Sequence, residues 1–228
     1  MALNTIKNFA VDIDGVLLHD TFSPVLRKML LDRSISYTSE IERNLLSQPR
    51  EQAAAYVINV LHAPYTSTEH VIKDYFDRRE LYLRAHPEII APGILSFLDS
   101  LLELDVCLIC YGGLPRSHFD RHLSGFAPYF SDYVCTNDFR PGIKEIMNDV
   151  CKCRPCEICF IDDVNSVAET AKLLDVPFIG VPSQQSWSFQ KAGMFKAGVK
   201  YIVDSISDIN KELIYRVDDD AASGSVWR

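Results

Sequence analysis

Apolar positions change their spacing twice along this chain. Phe9, Ala10, Val11 and Ile13 form a short apolar run, the pattern of a strand covered on both faces. From residue 23 to about residue 88 the spacing is helical. Ser23 followed by Pro24 reads as an N-cap with proline at the first helical position, and Ser39 and Ser47 read as caps of two further segments. Thr66 with Glu69 forms a capping box ahead of a helix whose apolar stripe runs through Val71, Tyr75, Phe76 and Leu83. From Pro92 onward short apolar runs alternate with amphipathic segments. "PGILSFLDSLLEL" reads as a helix, "DVCLIC" as a strand, "PRSHFDRHLSGF" as a helix and "DYVCT" as a strand. "IKEIMNDVCK" follows as a helix, with Ile143, Ile146, Met147 and Val150 on one face. "EICFIDD", "SVAETAKLLD" and "PFIGV" give strand, helix, strand, and "SDINKELIY" closes the series. This alternation predicts an α/β fold with a parallel sheet and right-handed crossovers. Residues 1–19 and 90–216 then form the core, 20–89 a helical insert, and 217–228 a polar, frayed tail.

Two of the predicted strands end alike. The first runs into Asp12 and Asp14, the later one into Asp162 and Asp163. In a parallel sheet chemistry gathers just beyond the carboxyl ends of the strands, and two ends far apart in sequence can be neighbours there. Gly15 lets the chain turn away sharply after the first pair. Carboxylates brought this close repel one another unless a cation or a shared proton relieves them. Mg²⁺ suits such a set, because it seeks oxygen and is satisfied by one or two carboxylates with water and phosphate.

Bulk properties narrow the partners. The 228 residues are 47% hydrophobic and 24% charged, enough for a full core, and the formal net charge is -8. That charge speaks against a nucleic-acid partner, which requires a basic face. No apolar run approaches the roughly 20 residues of a membrane span. No apolar segment followed by a small-residue cleavage site opens the chain, and seven cysteines make reduced thiols the simplest state. A cytoplasmic protein acting on a small molecule is expected.

The motifs resemble those of the haloacid dehalogenase superfamily, most of whose members are Mg²⁺-dependent phosphatases. "VDIDGVL" looks like its first motif, and "FIDDVNSVAETAKLLDVPFIGV" like its fourth with the strand after it. "APGILSFLDSLLELDVCLICYGG" is similar to the helix and strand leading into the second motif, and the insert occupies the place of the family's helical cap. The resemblance implies a Rossmann-like three-layer core with a small cap. It implies Asp12 as the nucleophile that forms an aspartyl-phosphate, and Asp14 as the acid and then the base, its backbone carbonyl also binding metal. Asp163 is implied as the main metal ligand, with Asp162 beside it. An acid at Asp14 favours phosphoryl transfer over dehalogenation, since an alcohol leaving group needs a proton and a halide does not.

Two stretches depart from the family pattern. The second motif has a Ser or Thr at its strand end; here "LICYGGLPR" offers Cys110 or Tyr111, or the backbone N–H groups of Gly112 and Gly113. The third motif has a lysine; "FRPGIKE" offers Arg140 before Pro141, or Lys144 one turn later, with Lys144 marginally preferred. Cys151, Cys153, Cys156 and Cys159 lack the spacing of two separated zinc-binding pairs, and His19 lies just past the first motif. The function expected is that of a Mg²⁺-dependent phosphatase of a small phosphorylated metabolite. A sugar-phosphate mutase and a binding protein that has lost turnover stand as alternatives.

Overall fold

The computed structural model describes residues 2–64 and 66–228. Six strands form one parallel sheet: β1 (Asn8–Asp12), β2 (Cys107–Gly112), β3 (Asp132–Cys135), β4 (Ile158–Asp162), β5 (Phe178–Gly180) and β6 (Tyr201–Ile202). Their order is β3-β2-β1-β4-β5-β6. Every pairing is parallel, with Val11 beside Cys110 on one flank and beside Ile161 on the other. The apolar runs are long enough for strands but too short for helices, and both faces of the sheet are covered.

Alternation along the strands assigns the two faces. Val11, Cys110 and Ile161 point to a layer built by α5 (Ile94–Leu102), α6 (Arg116–Leu123) and α10 (Lys211–Ser223), where Leu98, Phe119 and Ile214 are buried. Ala10, Ile109 and Phe160 point to the opposite layer. It is formed by α7 (Ile143–Glu145), α8 (Asn165–Leu173) and α9 (Gln190–Ala197), and contributes Ile146, Val167 and Met194. Each such fully buried side chain removes apolar area worth about 1.5–3 kcal/mol. The fold is therefore three-layered and α/β, as the alternation predicts.

Between β1 and α5 the chain leaves the sheet to build four helices, α1 (Ser23–Leu31), α2 (Ser39–Leu45), α3 (Arg50–Val60) and α4 (Thr68–Ala85). They enclose an apolar cluster of their own that includes Met29, Leu45, Val57 and Tyr75. Two linkers side by side join this cap to the core: the N–H of His19 donates to the carbonyl of Ile89 at 2.6 Å, and that of Ala91 to Leu17 at 2.9 Å.

Several local expectations need correction. Thr38 caps α2 by accepting from the N–H of Ile41, and Ser67 caps α4 by accepting from His70, so Ser39 and Thr66 each stand one residue from the cap. Ser23 is the first residue of α1, and its cap position is Phe22. Ser47 caps nothing; α3 starts after Pro49, and Ser47 has a left-handed backbone at φ 55°. α7 passes into a π-turn over Ile146–Cys151. The tail is helical, not frayed. Val217, Asp218 and Ala221 of α10 are buried, and Trp227 donates its indole N–H to the carbonyl of Val176 at 3.0 Å. Strand β6 carries too short an apolar run to be read from the sequence.

Candidate active site

β1 is where the strand order reverses: the chain builds outward to β2 and β3 on one side, then returns to build β4, β5 and β6 on the other. In open parallel sheets the crevice at the carboxyl end of that reversal is the usual binding place. Asp12 ends β1 there and Asp162 ends β4, with Asp163 and Asp14 one and two residues beyond their strands. All four line one cavity between sheet and cap, together with Gly113 and Arg140.

Each carboxylate is held differently. Asp162 is braced at both oxygens, one accepting from the phenol of Tyr111 and the other from the N–H of Val164 at 2.7 Å. Burial pushes its pKa up to about 6, and those two hydrogen bonds restrain the rise. Burial, followed by the charge of Asp162, also lifts Asp12 well above the usual carboxylate range, while Arg140 pulls it back. Asp163 is raised for the same first two reasons, with Asp12 adding to them. Gly15 explains how Asp163 fits. Its φ is 104°, and a Cβ there would lie 2.1 Å from a carboxylate oxygen of Asp163. A side chain at position 15 would displace that group.

Asp14 is gripped from both domains. Nε2 of His118, on α6, lies 2.9 Å from its carboxylate, and the guanidinium of Arg79, on cap helix α4, lies 3.6 Å away. Arg79 is buried, donates to the hydroxyl of Thr21 at 3.0 Å and stacks over Phe22. Neither His118 nor Arg79 was singled out from the sequence. His118 sits in the helix after the second-motif strand, four residues before His122, and that i,i+4 pair on one helix face is the signal that could have marked it.

The other expected residues divide. Arg140 lines the cavity, and its guanidinium lies directly over Gly113, where a Cβ would come within 2.3 Å of it. Lys144 is exposed on α7 and outside the cavity, which corrects the preference for it; the loop before α7 turns Arg140 inward and leaves Lys144 on the outer helix face. Tyr111 does not stand in for the second-motif hydroxyl. Its ring is fully buried against Phe160 beneath the strand ends, its phenol is committed to Asp162, and it does not line the cavity. Gly112 is tied into the sheet edge, its carbonyl accepting from the N–H and the hydroxyl of Thr136. Cys110 is buried on the opposite face of β2. His19 is exposed and lines a separate groove.

An all-oxygen set of buried carboxylates fits a hard divalent cation. Among the described residues no three acidic, His or Cys side chains close around an ion by themselves. Mg²⁺ does not need three, since it keeps several waters and takes one or two carboxylates. Asp12, Asp162 and Asp163 all have lone pairs that could serve it, Asp162 being the one braced by Tyr111 and Val164.

No protein-family model and no curated protein matches the chain. Solved structures do. A β-phosphoglucomutase from Clostridium difficile superimposes with a TM-score of 0.73 at 16% identity, covering 96% of this chain and 100% of that one. CbbY from Rhodobacter sphaeroides, in complex with xylulose-(1,5)bisphosphate, gives 0.65 at 16% identity over 90% and 96%. A haloacid dehalogenase-like protein from Agrobacterium tumefaciens gives 0.66 at 15% identity over 92% and 98%. With the same sheet and a cap inserted after the first strand, this chain has the fold of the haloacid dehalogenase-like hydrolases.

Proposed function

We propose that the protein is a Mg²⁺-dependent phosphate monoester hydrolase acting on a small phosphorylated metabolite. The observation that carries this reading is the convergence of Asp12, Asp14, Asp163 and Arg140 on one cavity at the reversal of the strand order. Asp12, Asp163 and the backbone carbonyl of Asp14 would hold the metal. Its chemistry there is to neutralise carboxylate and phosphoryl charge, so that two anions can meet.

The chain's own groups do the rest. A carboxylate oxygen of Asp12 attacks phosphorus, and the bond from phosphorus to the ester oxygen breaks. Asp14 gives a proton to the departing alkoxide, which leaves as the alcohol. A water molecule then attacks the aspartyl-phosphate, Asp14 takes its proton, and phosphate leaves with Asp12 restored. Arg140 supplies the cation over the phosphoryl oxygens, and the N–H of Gly113 lies beneath it in place of a hydroxyl. His118 and Arg79 orient Asp14 and tie its position to closure of the cap.

The test is phosphate release from a panel of phosphorylated metabolites with and without Mg²⁺, for wild type and Asp12→Asn. The expected result is Mg²⁺-dependent release that falls to background in the variant while its circular dichroism is unchanged. Release that survives in Asp12→Asn would remove the nucleophile from the scheme.

A further inference from the structure

We infer that the group esterified to the phosphate is a small, largely apolar alcohol, and not a sugar; this rests on the phosphate-ester reading above. The cavity, catalytic end included, measures about 150 Å³, and its lining is mainly apolar. The end at the sheet carries the carboxylates and Arg140. The end within the cap is walled by Phe22, Met29, Ala53, Val57, Val71 and Phe76. A wall of this kind favours an apolar guest over a hydrated one.

The polar groups near that wall are in part committed to one another and to the backbone. The phenol of Tyr75 faces the carbonyl of Phe22 at 3.5 Å. Arg50 donates to Asn137 at 3.0 Å, Asn137 donates to Asp138, and the amide of Gln48 donates to the carbonyl of Arg43. Asp20 accepts from the N–H groups of Phe22 and Ser23. Ser47 is the exception, its hydroxyl buried without a partner in the cavity wall. A sugar would place several hydroxyls against a wall that is mostly apolar, and each hydroxyl left there without a partner would lose its water for nothing. An apolar ring or branched alkyl group loses no hydrogen bond on entering, and Ser47 leaves room for one acceptor on it. The products are that alcohol and inorganic phosphate.

Three measurements test this. The first compares kcat/KM for benzyl phosphate, glucose 6-phosphate and acetyl phosphate with Mg²⁺ present. Benzyl phosphate should exceed glucose 6-phosphate at least 100-fold. The second fills the cavity with Ala53→Phe, or adds a hydroxyl to its wall with Val57→Thr, which keeps nearly the same shape. Either change should lower the ratio of benzyl to acetyl phosphate kcat/KM at least tenfold, with folding read by circular dichroism. The third is calorimetry of the non-hydrolysable benzylphosphonate with Mg²⁺, where burial of the ring gives a negative heat-capacity change. Turnover of glucose 6-phosphate equal to or above that of benzyl phosphate overturns the inference and leaves the hydrolase reading standing. Binding of benzylphosphonate without turnover of any ester overturns the hydrolase reading and supports the apolar site. Failure of benzylphosphonate to bind overturns the inference outright.

Discussion

On the proposed reading, a single residue decides how the phosphate is gripped. Arg140 and Lys144 lie within one short segment, and residue type alone favours the lysine. The structure separates them by direction: Arg140 faces Asp12 across the cavity, and Lys144 faces solvent. Arg140→Ala should therefore lower kcat by about 10²-fold or more, the usual loss when one preorganised anion donor is removed. Lys144→Ala should leave it within a factor of two. The reverse order in a steady-state assay would return the role to Lys144. Asp163→Ala tests the metal site in the same way. Asp162 is braced by Tyr111 and Val164, so the loss of Asp163 should lower Mg²⁺ affinity in a calorimetric titration at least tenfold. Unchanged affinity would shift the ligand elsewhere. The paired aspartates were legible because charge at the end of an apolar strand is a local signal. Tyr111, His118 and Arg79 were not legible, because each owes its role to a contact across 51, 104 or 65 positions of chain.

At the scale of elements, strand and helix order was readable as far as β5, whereas α9 and β6 were not, and the caps of α2 and α4 were off by one residue. A cap depends on which side chain reaches back to an N–H, and Thr38-Ser39 and Thr66-Ser67 each offer two hydroxyls in succession. α6 carries a further consequence of packing. His122 shares that helix with His118 and Arg121, and Arg79 reaches it from α4; its Nε2 is buried without a partner. Burial first, and then the positive charge of His118, Arg121 and Arg79, depress its pKa to about 4, with Asp14 pulling weakly the other way. The unfolded chain, at about 6.5, takes up the proton that the folded chain refuses. Stability from this group is therefore complete above pH 6.5 and is lost as pH falls towards 4. His122→Gln abolishes the titration, so its melting temperature should fall less steeply than wild type between those limits. Parallel melting curves across that window would dismiss His122 as a source of acid sensitivity.

For the whole molecule, the last helix runs past residue 216, where the polar pattern suggests a tail. "VDDDAASGSVWR" looks like a polar tail, yet its polarity conceals a tertiary clamp. Asp218 is 1% exposed, and its carboxylate accepts the backbone N–H groups of Asn4, Thr5 and Ile6 at 2.6, 2.9 and 2.7 Å. The clamp fastens the segment entering β1, the central strand that carries Asp12, to the last helix of the chain. Three buried or half-buried donors would lose their acceptor in Asp218→Ala, and an unmet donor costs about 1–3 kcal/mol. Water reaches the exposed flank of Asn4 and relieves part of this, so about 3 kcal/mol of lost stability is expected in urea unfolding. Asp218→Asn keeps one carbonyl acceptor and should lose less. Truncation after Arg216 should cost more than either substitution, because it also removes Val217, Ala221 and Val226 from the core face beneath β1. A truncated protein with wild-type stability and unchanged slope would mean that the closing helix is an ornament of the fold. The loss predicted here makes it the element that locks the first strand, and with it Asp12, in register.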